Sequence, residues 1–310
     1  YIAETFSAPI AESSDHTWAD YAAGYMWGTT GFVFNPENAN AEDMKTWDAF
    51  TNPTYNKKIT AKNNVRDSYF SGLGIHYEDE LLELKSQLDA GTLSSADYQA
   101  RLSEMMNDTT PETMNAVETI LKNVKGNIQA FETDEAKNDF IAGRIDVSYQ
   151  WSGDAVYIMD EVEAESGIAC SYVVPEAASN LWFDGWVMMK DANVDAATMF
   201  VNFVSRPDNV VRNMYYIGYT SCVAGEEVFD YVVETYGAEE GDATAVDYDL
   251  RYFFGDDAKY VLSAPAEQLT RQLFAQYPDE ETMLRCVVMQ YFDDDANTRA
   301  NTLWQNVLAS

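Results

Sequence analysis

Residues 140–155, FIAGRIDVSYQWSGDA, contain the change from helix to strand and back to helix that decides the fold class. The pattern predicts a helix over 134–142 that ends at Gly143, because glycine is favoured just past the end of a helix. Residues 145–151 are rich in β-branched and aromatic side chains, which predicts a buried strand. The polar turn that follows leads into a predicted helix over 155–163. A strand between two helices indicates an α/β fold.

The same alternation extends along the chain in both directions. Residues 77–110 predict an exposed helical hairpin, and residues 236–262 have no clear periodicity and predict irregular structure. Further strands are predicted at 25–35, 59–61, 168–174 and 181–189, and further helices from about Val65 and at 111–124, 196–204, 209–217, 266–276 and 296–309.

The charge of the chain excludes one class of partner. The 310 residues contain 19 Lys and Arg against 52 Asp and Glu, which gives a net charge of −33 at pH 7. Such a chain repels nucleic acid, because phosphate binding requires Lys or Arg to displace counterions. It attracts small cations instead. The alternative is that the acidic side chains only solvate the surface.

Few residues are suited to catalysis or metal binding. The chain has two histidines, His16 and His76, and three widely spaced cysteines, with no nucleotide-binding or zinc-protease motif. The run Asp293-Asp294-Asp295 lacks the alternation of a calcium loop and is typical of a helix N-terminus. The sequence therefore predicts no catalytic residue, no metal site and no cofactor.

Two carboxylates stand beside tryptophans at predicted strand ends. Trp151 and Asp154 lie where a strand turns into a helix, and Trp182 and Asp184 have the spacing that places two side chains on one face of a strand. An aromatic face with a carboxylate suits an alkylammonium ligand, through cation–π contact and a charge-assisted hydrogen bond. The alternative is that the tryptophans belong to the core and the aspartates cap helices.

Nine motifs follow one another along the chain in a characteristic order. They are YMWGTTGFVFN (25–35), TWDAF (46–50), NPTYNKKIT (52–60), VRDSYF (65–70), FIAGRIDVSYQWSGDA (140–155), NLWFDGWVMMKDA (180–192), FVNFVSRPDNV (200–210), YYIGYTS (215–221) and MQYFDDDANTRANTLWQNVLAS (289–310). Their order resembles that of the spermidine/putrescine-binding proteins of ABC-type polyamine importers. The resemblance covers about 22–75, 126–225 and 283–310.

The resemblance implies a two-lobed, periplasmic-binding-protein-like (type II) α/β fold with crossing strands, which closes over its ligand. Lobe one would comprise 1–35 and 181–310, and lobe two 36–180 with the hairpin at about 77–110 as an insertion. Family members carry a longer segment before the motif at 25–35. We therefore expect lobe one to lack its first strands, and we expect its uncovered apolar face to favour self-association.

The resemblance also implies a set of ligand-binding residues. In the family's pattern, Trp151 and Trp182 match aromatic walls, Asp154 and Asp184 match carboxylates that bind amines, and Asp67 stands at a position that carries an acid. Asn64 stands where spermidine binders carry an acid, which favours putrescine over spermidine. Two further contact positions are implied, and the full set is Asn64, Asp67, Trp151, Asp154, Trp182, Asp184, Tyr219 and Gln290.

The function implied is that of an extracytoplasmic solute receptor, periplasmic or tethered to the cell surface, that captures a polyamine between its lobes and delivers it to an ABC transporter permease. It would not be an enzyme. The alternatives are a receptor for another small cationic or polar solute, a hydrolase with two catalytic carboxylates, and an interaction module that binds a partner through the hairpin.

Overall fold

The computed structural model describes residues 16–310, in which helices alternate with strands. The strands are β1 Ala22–Phe34, β2 Ile59–Lys62, β3 Phe131–Glu132, β4 Val147–Trp151, β5 Ser171–Val173, β6 Ser179–Val187, β7 Thr220–Ser221, β8 Ala245–Asp249, β9 Val261–Pro265 and β10 Cys286–Val287. The helices are α1 Ala41–Met44, α2 Val65–His76, α3 Glu78–Asp89, α4 Ser95–Met106, α5 Pro111–Asn127, α6 Glu135–Ile141, α7 Ser152–Ser166, α8 Val194–Val204, α9 Pro207–Ile217, α10 Glu226–Tyr236, α11 Arg251–Phe254, α12 Gln272–Gln276, α13 Glu280–Leu284 and α14 Asp294–Ala309.

The chain folds into two units, and each unit is formed by two separate segments of the sequence. Unit 1 contains the described residues up to Gly28 together with Trp182–Ala266, and unit 2 contains Thr29–Leu181 together with Glu267–Ser310. Two of the boundaries fall inside strands β1 and β6. The predicted α/β class with crossing strands is therefore confirmed. The expectation for residues 1–15 lies outside the described residues.

Unit 2 is built on a mixed sheet. Strand β2 lies between β4 and β3 and is parallel to both, and β4 is antiparallel to the end of β1. In the parallel pair, Ile59 lies opposite Val147 and Thr60 lies opposite Ser148. The carboxyl ends of β2 and β4 therefore meet at one edge of the sheet, and helices α2 and α7 begin just beyond them. This edge positions the functional cluster described below.

The core of unit 2 lies between this sheet and the helices. Phe32 of β1 and Tyr149 of β4 are fully buried and contact the aromatic rings of Trp47 and Phe50, with ring centroids 5.1 to 5.9 Å apart. Helix α5 packs against α2 and α14. The buried strands with a helical layer account for the apolar runs in the sequence.

The predicted hairpin at 77–110 forms, but it is not an exposed appendage. Leu81 of α3 and Leu102 of α4 are fully buried, and Tyr98 is 1% exposed in the same core cluster. The prediction of exposure was wrong because each helix has only a narrow apolar stripe, and polar residues outnumber it in the sequence. The hairpin is part of the core of unit 2.

The C-terminal segment belongs to a different unit from the one predicted. Residues 267–310 were expected in lobe one, whereas the structure places Glu267–Ser310 in unit 2. Helix α14 packs on α5, and the Lys125 ammonium donates to the carbonyls of Val307, Leu308 and Ser310 at 3.1, 2.8 and 2.7 Å. These contacts, which are distant in sequence, decide the placement.

Unit 1 contains helices α8 to α10 and a two-stranded antiparallel sheet of β8 and β9. The sheet corrects the prediction that 236–262 is irregular. Tyr248 is buried opposite Leu262, while Asp247 and Asp249 on the same strand point outward. Strand β8 is short and has one buried face. Its exposed aspartates led to the prediction of a polar loop.

Candidate functional site

A cluster at the edge of the unit 2 sheet brings together several predicted residues and two that were not predicted. It consists of Lys62, Asp67, Lys137, Trp151 and Asp154, and is called the Trp151 cluster below. Lys62 ends β2 and Trp151 ends β4, while Asp67 and Asp154 lie in the first turns of α2 and α7. The parallel pairing of β2 and β4 is what brings these side chains together.

Lys62 lies at the centre of the Trp151 cluster. Its ammonium nitrogen is 3.6 Å from the centroid of the Trp151 ring and 3.7 Å from Oδ2 of Asp154, and it donates a hydrogen bond to Oε1 of Gln150. The side chain is completely buried. Burial lowers the pKa of Lys62 to about 8, although the Asp154 and Asp67 carboxylates act in the opposite direction.

Asp154 has two cationic neighbours in the chain. Besides Lys62, the Lys137 ammonium donates to Oδ1 of Asp154 at 3.1 Å and to Oδ1 of Asp134 at 3.2 Å. Burial acts to lower the pKa of Lys137, but the Asp154 and Asp134 carboxylates raise it overall. The carboxylate predicted to bind a ligand amine therefore already forms ion pairs within unit 2.

Asp67 is a buried acid at the same edge. Its exposed fraction is 5%, and burial raises its pKa to about 6. The Lys62 ammonium, a hydrogen bond from the Trp151 indole and the Arg66 guanidinium partly oppose that shift. The structure brings Asp67, Trp151 and Asp154 together at this edge of the sheet.

Two further predicted residues of unit 2 make local contacts. The side-chain oxygen of Asn64 caps α2 by accepting the backbone N–H of Arg66 at 2.8 Å. The Gln290 amide donates to Oγ of Ser103 at 3.2 Å, and its backbone N–H donates to Oδ1 of Asn107 at 2.7 Å. These contacts hold a helix end and a C-terminal loop in place.

The remaining predicted residues lie in unit 1. Trp182 and Tyr219 are half-buried, and their rings meet edge to face with centroids 5.4 Å apart. Asp184 follows two residues after Trp182 on β6, and it forms no ion pair within residues 16–310. It is exposed at the surface, yet partial burial of its carboxylate raises its pKa.

Asp184 also acts on a neighbouring thiol. The pKa of Cys222 is raised to about 12, chiefly by burial and further by the Asp184 carboxylate. Among the described residues, no group of three His, Cys, Asp or Glu side chains could hold a metal ion. Over the same residues, the helices are too short or too polar to cross a membrane.

The two lysines are the residues that sequence reasoning missed. Lys62 directly follows the buried strand predicted at 59–61 and precedes the cap residue Asn64. A basic residue at the end of a buried strand was the available signal, because a buried lysine needs a carboxylate partner. Lys137 carried no such signal, since it lies on a helix with polar neighbours.

Curated proteins similar to this chain bind polyamines according to their names. The spermidine/putrescine-binding periplasmic protein of Escherichia coli (strain K12) is 22% identical over 201 residues, which cover 64% of this chain and 49% of that protein. The putrescine-binding periplasmic protein PotF of the same strain is 25% identical over 208 residues, covering 65% of this chain and 51% of that protein. The chain therefore matches about half the length of these relatives.

Solved structures support the fold. The spermidine/putrescine ABC transporter substrate-binding protein PotD from Streptococcus pneumoniae superposes with a TM-score of 0.61 at 23% identity, covering 99% of this chain and 74% of that one. A spermidine/putrescine ABC transporter protein from Listeria monocytogenes gives a TM-score of 0.63 at 23% identity, covering 93% of this chain and 69% of that one. The family model described as bacterial extracellular solute-binding protein matches residues 4–227. With more than half of its length matched, this chain belongs to the bacterial extracellular solute-binding protein family.

Proposed function

We propose that this chain is the solute-binding component of an ABC importer, which captures a polyamine outside the cytoplasm and delivers it to a permease. Membership of a transport family and the names of the curated relatives support this proposal. The family is one of solute-binding transport proteins and not of enzymes. The chain would act in the periplasm or tethered to the cell surface.

The observation that carries the proposal is the carboxylate of Asp184 in unit 1, which lies two residues after Trp182 on β6, where the Trp182 ring contacts that of Tyr219. Because no lysine or arginine within the described residues forms an ion pair with it, Asp184 can pair with an ammonium from a ligand. The neighbouring aromatic rings would pack against the methylene groups that link the ammonium groups of a polyamine.

We further propose that putrescine is preferred over spermidine. Each ammonium removed from water needs a carboxylate or carbonyl partner to offset its desolvation. Asn64 offers no carboxylate, and Asp154 is already paired with Lys62 and Lys137. Few carboxylates are left for a ligand, which favours the shorter diamine over the triamine.

Isothermal titration calorimetry on this chain tests the proposal. The panel consists of putrescine, spermidine, glutamate and glucose at equal ionic strength. We expect heat with putrescine, weaker binding of spermidine, and none with glutamate or glucose. Heat with glutamate or glucose and none with either amine would overturn the polyamine assignment.

The lysines of the Trp151 cluster already balance the charges of its acids. This balance favours one second candidate, a receptor for a different small cationic or polar solute. In that case the ligand would contact the partly exposed Lys137 or its neighbours through hydrogen-bond acceptors and would need no ammonium. An uncharged analogue such as 1,4-butanediol distinguishes the two candidates. Equal binding of butanediol and putrescine would favour the second.

A further inference from the structure

The side chain of Lys62 makes the contacts that a ligand alkylammonium was expected to make. Its ammonium lies over the face of Trp151 at 3.6 Å, near the Asp154 carboxylate at 3.7 Å, and it donates a hydrogen bond to the side-chain amide oxygen of Gln150. An aromatic face, a carboxylate and a carbonyl oxygen are together a complete alkylammonium site. The lysine that fills it is wholly buried.

The charges of the Trp151 cluster balance without a ligand. Lys62 and Lys137 contribute two positive charges, and Asp67 and Asp154 contribute two negative charges when ionised. A further ammonium at this edge would meet two lysines in a largely buried setting, since the Lys62 side chain is completely buried and that of Lys137 is 22% exposed. Like charges in such a setting repel strongly and are costly to desolvate.

We propose that Lys62 is a specificity-determining residue that occupies the ammonium site of the Trp151 cluster and excludes a ligand ammonium from it. The proposal rests on the proposed function and narrows its ligand class. Amines with few ammonium groups are accepted, and longer polyamines, whose extra ammonium groups need further acceptors, are disfavoured.

The direct test is to empty the site and refill it with a free amine. Lys62→Ala keeps Cβ and removes three methylene groups and the ammonium, which is the composition of n-propylammonium. We expect n-propylammonium chloride to raise the melting temperature of Lys62→Ala by about 2 °C or more beyond the effect of sodium chloride at equal ionic strength. Wild type and the surface variant Lys45→Ala should show no such difference. Equal shifts in all three proteins would overturn the proposal.

The specificity claim has its own measurement. We expect the ratio of spermidine affinity to putrescine affinity to rise at least about tenfold in Lys62→Ala relative to wild type, because the freed site accepts one more ammonium. An unchanged ratio would overturn the role of Lys62 in specificity. Lys45→Ala, which removes a lysine that pairs with Glu42 at the surface, is the matched control.

A measurement on the wild-type chain covers the case in which Lys62→Ala does not fold. An ammonium held over an indole face places the adjacent Cε methylene in the ring current of Trp151. In assigned carbon–proton spectra we expect the Lys62 Cε protons to resonate upfield of those of the other lysines. Ordinary shifts for Lys62 would overturn the proposal even without a folded variant.

The outcomes separate this proposal from the proposed function. Putrescine binding to wild type without amine rescue of Lys62→Ala would overturn the role of Lys62 and leave the polyamine receptor standing. Amine rescue without any polyamine binding to wild type would support the occupied site and overturn the polyamine receptor.

Discussion

The ammonium of Lys62 lies 3.6 Å from the centroid of the Trp151 ring, and the two residues end neighbouring parallel strands of unit 2. This contact satisfies a buried cation and fixes the half-buried tryptophan at the same time. The family resemblance implies that Trp151 binds ligand. The contact shows that Trp151 also has a structural partner within the chain, Lys62. The consequences of this pairing can be measured without a ligand.

Replacing Trp151 tests the energy of the contact. Trp151→Leu removes the aromatic face from Lys62 and the indole donor from Asp67, whereas Trp151→Phe keeps an aromatic face. A desolvated cation–π contact contributes about 2 kcal/mol, so we expect the leucine variant to be less stable than the phenylalanine variant by about 1 kcal/mol or more. Urea unfolding monitored by circular dichroism gives both free energies. Equal stability of the two variants would contradict the contact.

Asp67 predicts a pH dependence of stability. Its pKa is raised to about 6 in the folded chain from an ordinary value of 3.8, because burial disfavours the charged form. The folded state therefore binds more protons than the unfolded state between these values, and this group's contribution to stability is full below pH 4 and lost as pH rises through 6. The loss is about 3 kcal/mol for two pH units.

Asp67→Asn should remove that decline. The free energy of unfolding of the variant, measured by urea titration from pH 4 to pH 7, should vary less with pH than that of wild type. Asp256→Asn, which removes an exposed carboxylate, is the control and should retain the wild-type slope. A variant Asp67→Asn with the wild-type slope would show that another group titrates there.

The buried face of the hairpin predicts a large effect of truncating one leucine. Leu102 is fully buried, so Leu102→Ala loses transfer energy and leaves a cavity, which together cost about 2 to 5 kcal/mol. Leu308→Ala is the matched control, since Leu308 is 46% exposed and should cost less than about 1 kcal/mol. Urea unfolding measures both. Similar losses would mean that the hairpin does not pack as described.

The exposed apolar side chains of helix α8 in unit 1 lead us to expect self-association. It has no buried residue, and Met199 and Phe203 are 74% and 55% exposed. Contiguous apolar surface of this kind favours association in water. We expect light scattering to show a mass that rises with concentration, and we expect Met199→Ser with Phe203→Ser to reduce the rise. A constant monomer mass for the wild-type chain would contradict the prediction.

Local patterns predicted the elements that are buried on both faces or clearly amphipathic. The runs that became β2, β4 and α2 have clear apolar or capping signals, so their existence followed from the sequence alone. Strand β8 was missed because its exposed aspartates dominate its composition. The hydrophobic pattern within a segment indicates which of its faces is apolar. It is a weak signal for short strands that have only one buried face.

Other features depend on contacts between distant segments. The C-terminal helix α14 was assigned to the wrong unit because no local signal shows that it packs on α5. The Trp151 and Asp154 motif was recognised, but its pairing with Lys62 depends on the parallel register of β2 and β4.

The most direct test of the polyamine receptor is the affinity for putrescine of wild type, Asp184→Asn and the surface control Asp256→Asn, measured by isothermal titration calorimetry. An ammonium–carboxylate hydrogen bond contributes about 1.5 to 3 kcal/mol, so the account predicts that Asp184→Asn weakens putrescine binding at least about tenfold while Asp256→Asn leaves it unchanged. Putrescine binding of equal strength in wild type and Asp184→Asn would contradict the account.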